Sequence, residues 1–147
     1  MARHRGPLLS FDYPRDWEDR TEVRYEAPLR RGLDGEMSPG RAVLTTARLA
    51  ADETLAVHVE RHLARLASEP GFVIRSVLDA LVDDRAAVRV DYASTAGGLP
   101  LEHRALFVVA RDRDVAVLTL SSPRTELAQL GPLLDRMLSS VKLGGRD

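Results

Sequence analysis

The chain has 147 residues, 44% of them apolar and 29% charged, a size and balance that suit a single domain able to bury one core. Its 21 basic and 22 acidic residues are interspersed and leave a formal charge of -1, which gives no electrostatic footprint for a nucleic-acid backbone. No cysteine is present, so disulfides, thiolate chemistry and cysteine-based zinc sites are excluded.

The chain opens with the basic cluster Arg3-His4-Arg5, but no apolar run of signal-peptide length follows, and no stretch approaches a membrane span. The expectation is a cytoplasmic protein with no direct membrane anchoring, one domain over residues 1–147, with residues 1–7 and 143–147 as flexible tails. Leu8 to Tyr13 reads as a strand that Pro14 terminates, and the turn after it parks Trp17 against the end of a sheet. Thr21 to Ala27 reads as a second strand, Thr21, Val23 and Tyr25 alternating with Glu22, Arg24 and Glu26. Pro28 to Gly40 reads as a long loop and Arg41 to Leu49 as a third strand.

From Asp52 to about Ser68 the apolar spacing turns helical, with Leu55, Val59, Leu63 and Leu66 on one stripe. Asp52 is the expected N-cap, and Pro70-Gly71 the stop. Strands are expected over Phe72 to Val82, Arg85 to Ser94, Leu101 to Arg111 and Val115 to Ser121, with a hairpin at Ala96-Gly97-Gly98. Ser122-Pro123 is expected to open a last helix with Leu127, Leu130, Leu134, Leu138 and Val141 on its apolar face, kinked or split at Gly131-Pro132. The order β-β-β-α-β-β-β-β-α with short turns predicts an α+β domain on a largely antiparallel sheet of about seven strands with two principal helices.

Few residues carry catalytic chemistry. His58-Val59-Glu60-Arg61-His62 resembles a metalloprotease helix, but that chemistry needs the glutamate directly after the first histidine, and Glu60 projects from the far side. His62, between Leu55 and Leu66 on the wheel, is expected to be semi-buried, and His58 to lie at the stripe's margin. Asp83-Asp84 reads as a turn, Ser121 and Ser122 as a helix cap with no partner histidine after them, and Gly97-Gly98 and Gly144-Gly145 lack the strand-to-helix context of a phosphate cradle. On the strand Arg85 to Ser94, alternation sets Val88, Val90 and Tyr92 on one face and Arg89 and Asp91 on the other. No enzyme, metal site or cofactor is expected.

Three phrases, Phe11-Asp12-Tyr13-Pro14-Arg15-Asp16-Trp17-Glu18-Asp19-Arg20-Thr21, Glu69-Pro70-Gly71-Phe72 and Ala86-Ala87-Val88-Arg89-Val90-Asp91-Tyr92, together resemble the DcrB-like family. Within it they are similar to the Eag-type adaptor chaperones of bacterial type VI secretion, over about Leu8 to Val141. The resemblance implies a PsbP-like sandwich and a homodimer that cradles the N-terminal apolar helices of a secreted effector on a sheet face left open by the helices. A helix of roughly 20 apolar residues cannot stay soluble alone, so a partner must cover its stripe. The implied client-binding face comprises Glu22, Arg24, Arg89, Ala105, Phe107 and Val109, with Ala116, Leu118 and Leu120 on the next strand as the other apolar candidates. Two positions depart from the family: Glu22 and Arg24 stand where the chaperones carry apolar residues, and Ala105 fills the place of a client-binding glutamine. A DcrB-like module that recognises a soluble protein through a charged face is therefore the alternative.

Overall fold

A computed structural model describes residues 1–6, 8–21, 24–26, 30–32, 35–37 and 40–144. In chain order its elements are β1 (Ala2–Arg5), β2 (Leu9–Tyr13), β3 (Glu18–Thr21), β4 (Arg24–Glu26), β5 (Arg30–Gly32), β6 (Gly35–Met37), β7 (Arg41–Arg48), α1 (Leu55–Leu66) and β8 (Val73–Val82). They continue with β9 (Arg85–Ala96), β10 (Leu99–Arg111), β11 (Asp114–Pro123), a 3-10 turn over Arg124–Glu126, α2 (Leu127–Ser139) and β12 (Lys142–Leu143). Among the described residues these strands form a seven-stranded sheet in the order β3-β4-β7-β11-β10-β9-β8, a small sheet β1-β2-β12 and the pair β5-β6. All of the pairings are antiparallel.

Short turns account for that order. Gly97 and Gly98 take φ of 58° and 80°, the left-handed pair that matches the twist of a two-residue hairpin between β9 and β10. The β8–β9 turn uses Asp83 and Asp84 at φ 48° and 67°, where aspartate is tolerated better than most side chains. The Asp83 carboxylate also accepts the Leu143 N–H at 2.8 Å, tying β12 to that turn.

Each face of the large sheet has its own core. On one, Val90, Tyr92, Ala105, Phe107, Val115 and Val117 lie under α1, which contributes Val59 with Leu55, Leu63 and Leu66. On the other, Leu106, Val108, Leu118 and Leu120 pack against Leu134 and Met137 of α2 and against Leu9, Phe11 and Leu143 of the small sheet. The composition of β10 and β11 explains this double coverage: over Ala105–Val109 and Val115–Leu118 odd and even positions are both apolar, so neither face can stay wet.

Several expectations need correction. Ala2–Arg5 is a strand rather than a tail, because β2 offers it a free edge, Arg3 bonds Asp12 at 2.7 Å, and the His4 ring stacks on Phe11 at 5.0 Å. Leu143, expected in the other tail, is buried and paired with Leu9; residues 7 and 145–147 lie outside the described residues. Where one strand was expected from Thr21, β3 and β4 pair with each other, Asp19 opposite Tyr25 and Thr21 opposite Arg24, and the expected loop contains β5 and β6.

The cap of α1 is Thr54, whose Oγ1 accepts the Val57 N–H at 3.2 Å from an extended backbone, a position two residues beyond Asp52. Ser122 and Pro123 do not open a helix; they stay in β11, opposite Glu102 and Leu101. Proline is tolerated there because the pairing to β7 stops at Ser121, so its missing N–H has no ladder partner on that side. Nor does Pro132 split α2. It forfeits one backbone bond, while buried Gly131, Leu134 and Met137 hold the helix down and Arg104 donates to the Gly131 carbonyl at 2.8 Å.

Phe107, with no exposed surface, is at the centre of the α1 core. Phe107→Ala is expected to cost about 3–5 kcal/mol in urea unfolding, against about 1 kcal/mol for Thr54→Ala at the cap.

Candidate binding surface

The residues implied as a client-binding face do not share one surface. Glu22 lies outside the described residues, and Arg24 is placed by its backbone alone, opposite Val43. Ala105 and Phe107 are fully buried beneath α1, and half-buried Val109 packs against the same cluster. Phe107 meets the edges of His62 and His58, ring centres 5.1 and 6.5 Å away. Ala116, Leu118 and Leu120 are fully buried in the opposite core, so neither set of apolar candidates is open. Arg89 points to the α2 side, away from Phe107, as the alternation predicted.

Of the two histidines of α1, His62 is half-buried as expected, and His58, expected at the margin of the stripe, is buried. His58 is buried, 3.9 Å from the Glu53 carboxylate, whereas His62 is half-buried and its pKa is lowered by burial, then by Arg65 and His58. Among the described residues no group of three metal-ligating side chains converges there or elsewhere.

Exposed apolar surface is concentrated on β8, the terminal strand of the large sheet. Ile74, Val77 and Leu81 are 45%, 51% and 72% exposed, and Val73 and Leu78 are 48% and 55%. The ladder assigns their faces: Ile74 is opposite Tyr92, Val77 opposite Val90 and Leu81 opposite Ala86, which puts all three on the α1 side. Leu78, opposite Arg89, is on the α2 side. α1 packs over β9 and β10 and stops short of β8, so Ile74, Val77 and Leu81 project beyond its cover. Phe72, Leu63 and Leu66 are half-buried at the margin of the α1 core.

The α2 side of the same strands is charged. Arg89 holds Asp91 through two bonds of 3.0 and 3.1 Å and reaches Asp135 of α2 at 3.3 Å, and Arg104 also bonds Asp135. The bond to Asp91 is the main reason that the pKa of Arg89 rises above its ordinary value. On one side of this network a cavity of about 210 Å³ is lined by Ala80, Val82, Leu106 and Leu138; on the other, one of about 170 Å³ is lined by Arg75, Glu102 and Arg104.

Sequence reasoning missed His103. Ser121 does have a histidine partner, one that precedes it in the chain and comes opposite it in the β10–β11 ladder. His103 Nδ1 lies 2.7 Å from the Ser121 hydroxyl and Nε2 2.7 Å from that of Ser94, while Tyr92 stacks on the ring at 4.6 Å. Both ring nitrogens are taken by hydroxyls, which leaves neither to be oriented by a carboxylate as a nucleophile's base would be. The cluster is a polar pin across three strands. Burial pushes the His103 pKa down to about 4 and, with the Glu69 charge adding, pushes the Tyr92 hydroxyl up to about 12.

Solved structures share this arrangement of sheet and helices. LpqN of Mycobacterium tuberculosis, described as involved in cell envelope biogenesis, superimposes with a TM-score of 0.71 at 13% identity, over 97% of this chain and 90% of LpqN. Cyanobacterial PsbP (CyanoP) from Synechocystis sp. PCC 6803 gives 0.67 at 13% identity, over 97% and 91%. The fold is PsbP-like. A third neighbour is PA94 from Pseudomonas aeruginosa, described as a protein of unknown function and putative regulator, with a TM-score of 0.67 and 24% identity over 94% of this chain and 93% of that one. No family model matches the sequence, and no curated protein is similar to it. Among the described residues no helix is long and apolar enough to cross a membrane.

The His103 pin makes stability depend on pH. Its folded pKa of about 4 is below the ordinary 6.5, so between those values the unfolded chain binds more protons, and the contribution present above pH 6.5 is lost as pH falls towards 4. Urea midpoints measured from pH 7 to 4.5 are expected to fall, and to fall less steeply in His103→Asn; equal slopes would remove the pin from the pH response.

Proposed function

We propose that this chain works by binding another protein through an apolar surface and, within that class, that it is a cytoplasmic adaptor chaperone covering the N-terminal apolar helices of a type VI effector before export. The observation that carries the reading is the row Ile74, Val77 and Leu81 on the α1 side of β8, three large apolar side chains left in water at the open end of the sheet. Large apolar side chains grouped in water along one edge are costly to a chain unless a partner covers them. The phrases that resemble the Eag-type chaperones supply the partner's class, and the PsbP-like fold is consistent with it. The client surface is thereby moved from the strand of Ala105 and Phe107, which is core, to β8. No reaction is assigned: the reading is of a protein that acts by contact alone.

Asp79 gives the alternative its footing. It is exposed on the same face as Val77 and Leu81, opposite Val88, where a wholly apolar helix would leave its carboxylate without a partner. A soluble partner with a cation at that point would suit the surface better, as would an amphipathic client helix.

Co-expression with the N-terminal region of the effector encoded beside it tests the reading. A soluble complex that is lost when the apolar segment is deleted is expected, and Leu81→Asp should weaken it by about tenfold or more without changing the melting temperature. Capture that is indifferent to the apolar segment would favour the soluble partner.

A further inference from the structure

The two edges of the large sheet are built differently. β3 closes one edge with four residues, Glu18-Asp19-Arg20-Thr21, the short and charged kind of strand that resists further pairing. β8 closes the other with ten, Val73 to Val82, containing no proline and no lysine. No strand pairs with its outer edge among the described residues. Its exposed apolar side chains are divided between the faces, Ile74, Val77 and Leu81 on the α1 side and Val73 and Leu78 on the α2 side. Its two charges are divided as well. The irregularity between Ile74 and Ser76 turns Arg75 to the α2 side, where it bonds Glu102 at 3.0 Å, whereas exposed Asp79 stands on the α1 side between Val77 and Leu81.

On the α2 side the same strand borders a recess. The cavity of about 210 Å³ is bounded by Ala80 and Val82 of β8, by Arg89 and Leu106 of the next two strands, and by Leu138 and Val141 at the end of α2. A cavity of about 150 Å³ already admits a benzene ring, so this one has room for a large apolar side chain. A free strand edge beside such a recess offers an incoming strand backbone partners along one flank and a pocket for one of its side chains. A helix laid on one face would leave the other wet and the backbone edge unpaired.

We infer that the partner protein adds a strand to β8: an extended segment that seats an apolar side chain in the recess on the α2 side and sets a lysine or arginine opposite Asp79 on the α1 side. Asp79 selects the charge, because an apolar residue there would leave the carboxylate without a partner and an acidic one would repel it. Arg75 makes no such demand, being held by Glu102. The partner, placed at β8 by the functional reading on which this rests, therefore arrives as a strand along the edge as well as by its apolar surface.

The probe is a capped, fluorescently labelled peptide, Ser-Thr-Val-Leu-Lys-Leu-Val-Thr-Ser. With its lysine opposite Asp79, the leucines fall on the α2 side and the valines beside Val77 and Leu81, in either strand direction. Saturable binding to the full-length protein, read by fluorescence anisotropy, is expected. Aspartate in place of the peptide's lysine should weaken it by about tenfold or more, and Asp79→Lys should reverse that preference with an unchanged melting curve. N-methylation at the leucines, or in a second peptide at the valines and lysine, blocks alternate backbone donors. One of these peptides should bind as the parent does and the other should not bind, because only one side of an added strand faces β8.

No saturable binding, equal effects of the two methylations, or indifference to the charge at position 79 would overturn the added strand. So would a native mass of two chains that the probe leaves unchanged, which would give the edge to a second copy. Capture of the effector's N-terminal region by a protein that ignores the probe would overturn the strand and spare the client reading. Probe binding with the stated charge and methylation pattern, but no capture of that region, would support the strand and remove the client.

Discussion

The constraint on which the rest of the structure depends is that a wide antiparallel sheet, apolar on both faces, has to be covered twice by a short chain. β10 and β11 need cover on each side: Phe107 and Val117 face one way, Leu106 and Leu118 the other. One helix serves each face, and the small β1-β2-β12 sheet shares the α2-side core, with the Phe11 and Tyr13 rings against Tyr25 of β4. The covers are centred on the middle strands. They run out before β8, which has seven of its ten residues exposed. The proposed binding surface is what remains when the cover of a two-faced sheet is one strand too narrow.

Polar groups hold the covers in register. Asp135, on α2, takes Arg89 and Arg104 from adjacent strands, and Arg104 also reaches the Gly131 carbonyl, so the helix is tied to the sheet beside its proline. His103 links Ser94 and Ser121 across β9, β10 and β11 with the Tyr92 ring against it. Such bonds add modest net stability but are costly to break once buried, which favours one alignment of the strands over its neighbours. A rigid centre with an unfinished edge is the arrangement that suits a binding protein.

Much of the fold was legible because its signals are local. Gly97-Gly98, Asp83-Asp84 and the apolar stripe Leu55, Val59, Leu63, Leu66 each specify a turn or a helix without reference to the rest of the chain. The missed elements depend on distant partners. Ala2–Arg5 becomes a strand because β2 is there to receive it, and Ser122-Pro123 stays extended because β10 continues beside it, overriding an apparent helix start. The surface was the least legible part. Alternation places Ala105 and Phe107 on one face but cannot say that α1 lands on it, and Val77 and Leu81 lie in a strand whose position at the sheet's edge is a property of topology. His103 and Ser121 are joined only by the ladder.

Hydrogen–deuterium exchange of the chain alone and in complex with the effector's apolar segment tests most directly whether function resides at the uncovered edge. Slowing confined to residues 73–82 and the adjoining end of α1, with β10 and β11 already slow in both states, is the expected result. Slowing across β7 and the strands around it, with residues 73–82 unchanged, would contradict it and return the binding surface to the opposite end of the sheet.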